Sequence, residues 1–517
     1  MRTLAYVGTA ALLFVAATAH AETYVVAPGG SDSNSGLSGS PWATLQHAAD
    51  TVVAGDTVIV EPGDYAGFYV TKSGTAGSPI TFSAKLGTVI VSENDQTGQD
   101  GINIEDTENG ETIAYVVVEG FTVNGMARAG IRTAVSSHIT IRKNIADGNG
   151  SWGILTGFAD DVLIEYNECS NSVDEHGIYV SNSGDRPVIR NNVLWGNNAN
   201  GIHMNGDVSL GGDGTISNAL VENNIIYDNG LAGGSGINCD GVEGSRIQNN
   251  LIYNTHASGI SLYQIDGAIP SQNNVVVNNT ILVASNGRWA LNIREGAVGN
   301  KVFNNILLNA HSFRGAIDIA ADALAGFESN NNLMIDRFTL DGDAIINLTE
   351  WQAATGQDAN SSTQAPSFVN MGADDYHLTN ASAGVDQGTS TEAPSADLEN
   401  TARPQGAGFD IGAYEFCPSG MCTMGMGGSG GAGTGGNGTG GGSAGSADGG
   451  SGATGGAGIG GSGGSVDCSG GEGNCDPGAD GCTCRAAPKG DNPTFSFMAA
   501  LLGTGLFAAR RRRRRHG

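Results

Sequence analysis

Between Trp152 and Asp240 the sequence gathers side chains that can move protons, stack on rings or hold cations: Trp152, Asp174, His176, Tyr179, His203, Asn205, Asp207 and Asp240. His and Tyr are common general acids and bases. An outward aromatic ring stacks on a sugar, and Asn or His can neutralise a carboxylate. Together they suit proton abstraction at C5 of a uronate. That reaction needs a base at C5, an acid at the leaving oxygen and a group that neutralises the carboxylate. Tyr179, His203 and His176 are the expected catalytic residues, with Tyr179 and His203 moving protons and His176 or Asn205 neutralising charge. Trp152, Asn200, Asn205, Asn238 and Arg132 are the expected substrate-binding residues. Asp174, Asp207 and Asp240 are the candidate Ca²⁺ ligands, because that ion takes hard oxygen donors. No Asp-x-Asp-x-Asp-Gly loop and no Gly-Gly-x-Gly-x-Asp array is present, and no cofactor other than Ca²⁺ is implied. Asp207 and Asp240 are also the candidate pair for glycoside hydrolysis, which needs two carboxylates about 5 to 9.5 Å apart. Cys169 and Cys239 read as small core residues.

What must position these residues is a repeat. Its phrase opens with Gly-Ile at Gly130, Gly153, Gly177, Gly201, Gly236 and Gly259, and more loosely at Ala290 and Ala316. About a dozen residues later each copy reaches an Asn: Asn144, Asn167, Asn192, Asn224, Asn250, Asn279 and Asn305. The steps between them are 23, 25, 32, 26, 29 and 26 residues. A period of this length means a stacked solenoid. Apolar residues two apart, as in Ile178-Tyr179-Val180, give strand periodicity, and no segment carries a long helical stripe. The predicted fold is all-β: one chain wound as a right-handed parallel β-helix with coils of roughly 23 to 35 residues. Asn is expected at αL turn positions, stacking as structural amide ladders.

If each Ile faces in, the next residue faces out. One outer row is then Arg132, Leu155, Tyr179, His203, Asn238, Ser261, Asn292 and Asp318. A second is Ala134, Gly157, Ser181, Asn205, Asp240, Tyr263, Arg294 and Ala320. Row neighbours in touching coils lie about 4.8 Å apart. The turn residues Trp152, His176 and Asn200 flank the first row, with their facing open. A shift of one residue would send every one of these side chains into the core.

The predicted domains follow in order. Residues 1–21, with Arg2, the apolar run from Leu4 to Thr18 and Ala19-His20-Ala21, read as a secretory signal peptide. Residues 22–416 form the β-helix, and Pro41 to Val53 carries helical spacing suited to a cap on its open end. The repeat decays from Ile335 to Asn400, where Trp351-Gln352 and Tyr376-His377-Leu378 read as irregular edge segments. Residues 417–480 are a Gly/Ser-rich linker, in which Cys417 with Cys422 and Cys468 with Cys475 can pair in an oxidising compartment. Residues 481–517 hold Cys482 and Cys484, the apolar run Thr494 to Ala509, read as a short hydrophobic helix, and Arg510 to Arg515.

Four motifs carry resemblances. Tyr24 to Pro28 with Gly30-Ser31-Asp32, then Pro41-Trp42-Ala43-Thr44-Leu45-Gln46, Ala54-Gly55-Asp56-Thr57-Val58 and Pro62-Gly63-Asp64-Tyr65 resemble the opening of secreted right-handed β-helix proteins of the pectate-lyase-like superfamily. That resemblance implies a polysaccharide-active fold shared by lyases, epimerases, hydrolases and non-catalytic surface proteins. Asp174-Glu175-His176 is similar to the Asp-x-His core of secreted mannuronan epimerases, but lacks that motif's preceding Tyr and has Val173 where the motif has Pro. Gly408 to Phe416 resembles the terminal motif of bacterial β-helix proteins that carry interchangeable surface anchors. Cys482, Cys484, the apolar run and the Arg cluster resemble myxobacterial C-terminal sorting signals, which implies export and anchoring at the cell surface. The polygalacturonase motif set is missing. Lys143 and Lys301 lie near the Asn turns, away from the outer rows, so the lysine base of pectate-lyase relatives has no evident counterpart.

The formal net charge of −28 repels nucleic acid and anionic membranes. The expected partner is an extracellular polysaccharide, the expected state a monomer, and membrane contact is confined to the tail. Three function classes follow: a lyase or epimerase of uronate glycans, a non-catalytic glycan-binding or structural surface protein, and a glycoside hydrolase.

Overall fold

The Ile of each Gly-Ile phrase turns inward and meets its counterparts in the coils above and below. Ile131, Ile154, Ile178, Ile202, Ile237, Ile260, Leu291 and Ile317 pair in one unbroken register, and all are fully buried. A second inward row runs Ile141, Ile164, Ile189, Val221, Ile247, Val276 and Val302. A third includes Cys169, Leu194, Ile226, Ile252, Ile281 and Leu307. A computed structural model describes residues 21–425 except 343 and 419. In it the strands form three parallel sheets of twelve, eleven and twelve strands. The chain is an all-β parallel solenoid, as the repeat predicts. Residues 1–20 of the predicted signal peptide 1–21, together with Cys468, Cys475, Cys482, Cys484, the apolar run at 494–509 and the Arg cluster, lie outside the described residues.

The corner between the first two sheets is closed by asparagine. Asn144, Asn167, Asn192, Asn224, Asn250, Asn279, Asn305 and Asn332 stack, each Nδ2 donating to the next Oδ1 at 3.0–3.2 Å. Asn224 shows the full pattern. Its Oδ1 accepts from the Asn192 amide N–H and Nδ2, both at 3.0 Å, and its Nδ2 donates to the Ile189 carbonyl at 2.9 Å and to Asn250 Oδ1 at 3.0 Å. The αL turn falls one residue earlier than expected, on Lys143, Tyr166, Asn191, Asn223, Asn249, Asn278, Asn304 and Asn331. That residue bends the chain, and the following Asn sends its amide inward. The repeated Gly has a separate cause. A Cβ on Gly177 would lie 2.8 Å from Asn197 Nδ2 and 2.9 Å from the Gly201 carbonyl oxygen.

Both ends are covered. Helix Leu45–Thr51 caps the first coils, with Thr44 Oγ1 accepting from the His47 N–H and Leu45, Ala48 and Ala49 buried. At the other end the segment around Trp351, expected to be irregular, is helix Leu348–Thr355. Its capping box joins Asn347 and Glu350. The fully buried Trp351 stacks on Phe338 at 5.1 Å, and its indole N–H reaches Asp358 Oδ2 at 2.8 Å. Tyr376-His377-Leu378 is also regular, in strand Asp375–Leu378 paired antiparallel with Phe368–Asn370.

The Gly408 to Phe416 motif does not extend the solenoid. It lies against the side of the solenoid, where Asn278 Nδ2 donates to the Asp410 and Gly412 carbonyls and the Ala413 N–H donates to Thr280 Oγ1. The wholly buried Arg403 and Glu415 side chains pair at 2.7 Å beneath it. Cys417 and Cys422 form a disulfide. Residues assigned to the start of the linker are tied to this strap, since the Ala402 N–H donates to the Thr423 carbonyl at 2.8 Å.

Replacing Asn224 with Ala leaves donors and acceptors unpaired in the coils on both sides. Each buried orphan costs about 1–3 kcal/mol, so denaturant unfolding should show a loss of about 3 kcal/mol. A loss below about 1 kcal/mol would mean that the ladder is not what holds the corner.

Candidate functional site

The third sheet carries both predicted outer rows in the predicted phase. Its strands pair Arg132 with Leu155, Tyr179, His203, Asn238, Ser261, Asn292 and Asp318 in succession. The parallel row runs Ala134, Gly157, Ser181, Asn205, Asp240, Tyr263. Three rings form a column on this face. Trp152 stacks on Tyr179 with centroids 5.5 Å apart, and Tyr179 stacks on His203 at 5.1 Å. His176 meets both Tyr179 and His203 edge-on. Trp152 therefore faces out, which the turn had left open.

A chain of hydrogen bonds fixes the protonation of both imidazoles. The Ser235 backbone N–H donates to Asn200 Oδ1 at 2.6 Å, which turns the Asn200 amide nitrogen toward His176. Asn200 then donates to His176 Nδ1 twice, from its backbone N–H at 3.3 Å and from Nδ2 at 3.2 Å. His176 Nδ1 is thus an acceptor, and its proton sits on Nε2. That N–H lies 3.0 Å from His203 Nδ1 and 3.5 Å from Glu175 Oε2. His203 Nδ1 accepts in turn, so the His203 proton sits on Nε2, which is buried with no partner. Burial pushes His203 down to about 3. Burial, helped by His203, holds His176 well below its usual value. Both rings are neutral, and His203 offers a donor where a base was expected. His176 acts through His203, so it is a positioning residue.

Asn205 Nδ2 donates to the Tyr179 hydroxyl at 3.3 Å, leaving the phenol hydrogen free to point elsewhere. The Asn205 Oδ1 atom is buried without a partner. Burial raises the Tyr179 pKa, and Glu175, Asp207 and Asp266 raise it further, so the phenol stays protonated. Asn238 repeats the arrangement one coil on, donating to the Tyr263 hydroxyl at 2.5 Å.

Two carboxylates that sequence reasoning passed over stand here. Glu175 accepts from the Trp152 indole at 2.9 Å, and burial and Asp174 raise its pKa. Asp266 is raised by desolvation and by Asp240 and Asp207. Glu175 was visible beside His176. Asp266 lies on a turn outside the repeat, where periodicity says nothing.

Other predicted roles change. Both oxygens of Asp240 are taken by the backbone N–H groups of Ile265, Asp266 and Gly267 at 2.8–3.0 Å, so Asp240 holds the turn that carries Asp266. Asp207 accepts from the Ser209 N–H and Oγ. Asp174 is exposed. Among the described residues no group of three His, Cys, Asp or Glu is placed to hold a metal ion. The three aspartates do not fit a Ca²⁺ site, because Asp240 spends its oxygens on backbone N–H groups and Asp207 spends its own on the Ser209 N–H and hydroxyl. For the same reason Asp207 and Asp240 do not serve as a free hydrolytic pair. Arg132 is ion-paired with Glu105, two coils from Tyr179, and Leu155 lies between. Cys169 and Cys239 are fully buried, as expected.

Residues 66–211 and 175–333 match the family described as right handed beta helix region. The chain belongs to that family. Pectate lyase Pel9A superposes with a TM-score of 0.55 at 16% identity, covering 76% of this chain and 96% of that one. An alginate lyase from Paenibacillus sp. str. FPU-7 aligns at 20% identity with a TM-score of 0.44, over 57% of this chain and 97% of that one. At 16% identity the likeness to Pel9A speaks for fold alone. An uncharacterized protein of Bacillus subtilis (strain 168), YwoF, is 47% identical over 58 residues, 11% of this chain. The match spans 12% of that relative's length.

NMR of the ring nitrogens should find His176 and His203 neutral with the proton on Nε2 down to well below the ordinary histidine pKa of about 6.5. Their folded pKa values lie below the unfolded value. Their unfolded forms therefore take up protons first, and stability falls as pH drops from about 6.5 toward about 3. His203→Gln should flatten that part of the acid unfolding curve. A histidine signal titrating near 6.5 from either ring would refute the relay.

Proposed function

We propose that this protein acts on an acidic polysaccharide as a lyase or C5 epimerase, with the reacting sugar over the Tyr179–His203 column. The supporting observation is the pair of buried, unpartnered atoms beside Tyr179, the His203 Nε2–H donor and the Asn205 Oδ1 acceptor. Such orphans are costly in a folded protein. A sugar bearing a carboxylate and hydroxyls supplies a partner for each once the side chains that cover these two atoms move aside. The fold shared with pectate lyase Pel9A is in keeping with this chemistry.

In this reading His203 donates to the uronate carboxylate and stabilises the negative charge that builds on its oxygens as C5 loses its proton. A neutral donor held in place by the relay needs no reorganisation as that charge appears. The base is a carboxylate next to Tyr179, Glu175 or Asp266, whose raised pKa values make them stronger bases than an exposed carboxylate. In elimination the C5 proton passes to that carboxylate and its electron pair forms the C4–C5 double bond. The bond from C4 to its oxygen breaks, and that oxygen takes the Tyr179 proton. In epimerisation C5 is reprotonated from the opposite face and no bond to oxygen breaks. Trp152 extends the stacking surface. A glycoside hydrolase reading has one observation in its favour, that Glu175 and Asp266 form a pair of carboxylates with raised pKa values. The reading includes export through residues 1–21 and surface retention through Cys482, Cys484 and the tail.

The test is to incubate the full chain with polygalacturonate, alginate and glycosaminoglycans. Ultraviolet absorbance of unsaturated ends reports elimination, NMR reports epimerised residues, and new reducing ends without absorbance report hydrolysis. Tyr179→Phe should lower kcat for elimination by about 100-fold or more. If no polymer yields any of the three products, the enzymatic reading falls and glycan binding alone remains.

A further inference from the structure

The same outer face continues, C-terminal to the ring column, into a cavity of about 630 Å³. Asn238, the row neighbour of His203, lines its near end, and Asp318 lines its far end. Three arginines line it, Arg288, Arg294 and Arg314, against the carboxylates Glu295 and Asp318. The cavity is thus locally positive in a chain whose net charge is −28.

The pairing of these arginines separates their roles. Arg294 is neutralised, bound to Asp318 at 2.5 Å. Arg314 spends one donor on the Gly287 carbonyl at 2.9 Å and has no carboxylate partner among the described residues. The Arg288 side chain is exposed and makes no hydrogen bond or ion pair among the described residues. Arg288 and Arg314 occupy equivalent positions, three residues before Leu291 and Ile317, which pair across adjacent coils. Adjacent coils are about 4.8 Å apart. Arg314 reaches back to the Gly287 carbonyl and the Arg288 guanidinium reaches back to Gly233, so both cations face the same cavity, where an anion between them relieves their mutual repulsion. Beside them Phe313, 52% exposed, presents an aromatic ring to the same cavity.

We infer that this cavity is a subsite for an acidic sugar of the bound chain, with Arg288 and Arg314 gripping its carboxylate or sulfate and Phe313 packing on its ring. The inference rests on the reading of the face as a glycan groove. It deepens that reading by assigning the recognition of charge to a point remote from the chemistry. The Arg288 and Arg314 backbones lie four and five coils from that of Tyr179, about 19 and 24 Å, and the Arg288 guanidinium reaches back toward Gly233. The preferred substrate is therefore an oligomer of several units with acid groups away from the reacting residue. Arginine suits this task because its planar fork binds a carboxylate or sulfate through two parallel hydrogen bonds.

The test compares the full chain with R288Q, R314Q and R288K. Oligogalacturonate, oligomannuronate, a sulfated glycosaminoglycan oligosaccharide and a neutral oligogalactan serve as probes, with affinity measured by calorimetry and turnover where it occurs. Arg288 has no partner to lose, so R288Q should fold as the parent does. The expected result is an affinity loss of about tenfold for acidic probes in R288Q and R314Q. KM should rise with kcat nearly unchanged, R288K should recover binding only in part, and the neutral probe should not respond. The wild-type advantage for acidic probes should shrink with added salt. Preference for carboxylated or for sulfated probes identifies the anion. Equal affinity of wild type and R288Q for every acidic probe overturns the inference, even if Tyr179→Phe abolishes turnover. Arg-dependent binding without turnover of any polymer upholds it while removing the enzymatic reading.

Discussion

A buried asparagine amide has two N–H donors and a carbonyl with two lone pairs, and at a solenoid corner only the coils above and below can meet them. Asn224 meets every one, through Asn192, Asn250 and the Ile189 carbonyl. An error of one residue in any coil would leave several of these atoms unpaired. Steric closeness acts in the same direction, since Gly177 and its equivalents leave no room for a side chain between coils. Register is therefore fixed at the corner between the first two sheets and at the glycines within the strands of the third. Everything on the outer face inherits that register.

The outer face shows what such fixing allows. Tyr179 and His203 come from different coils, 24 residues apart in sequence, yet they stack as ring on ring. The imidazole tautomers are set by backbone groups of coils further along, Asn200 and Ser235. A rigid backbone donor at the head of the chain is what makes His203 a neutral donor rather than a base. The Arg288–Arg314 pair follows from the same stacking, since a residue type repeated at one position is brought alongside its copy one coil away.

Most of the fold was legible because a solenoid writes its contacts as a period. The inward Ile rows, the Asn ladder and both outer rows were readable from spacing alone. The αL position was misread by one residue, because Asn favours both the turn and the ladder, and adjacent pairs such as Asn191-Asn192 do not say which does which. The segments around Trp351 and Tyr376 were read as irregular because they lie outside the repeat. Trp351 forms a cap helix, and Gly408 to Phe416 folds back on the flank through contacts more than a hundred residues apart, such as Asn278 with Asp410. The aspartates were misassigned because sequence shows an acidic side chain without showing that local N–H groups have claimed its oxygens, as at Asp240.

By itself the sequence determined which residues line up on the outer face. Hydrophobic alternation and the Asn repeat leave one phase that buries the isoleucines and satisfies the amides. Only the tertiary structure decided what each lined-up residue can do. Whether His203 donates or accepts, whether Asp240 is free, and whether Arg288 has a partner depend on atoms contributed by other coils and by turns outside the repeat. A period in sequence specifies adjacency, but it carries no record of the direction of a hydrogen bond.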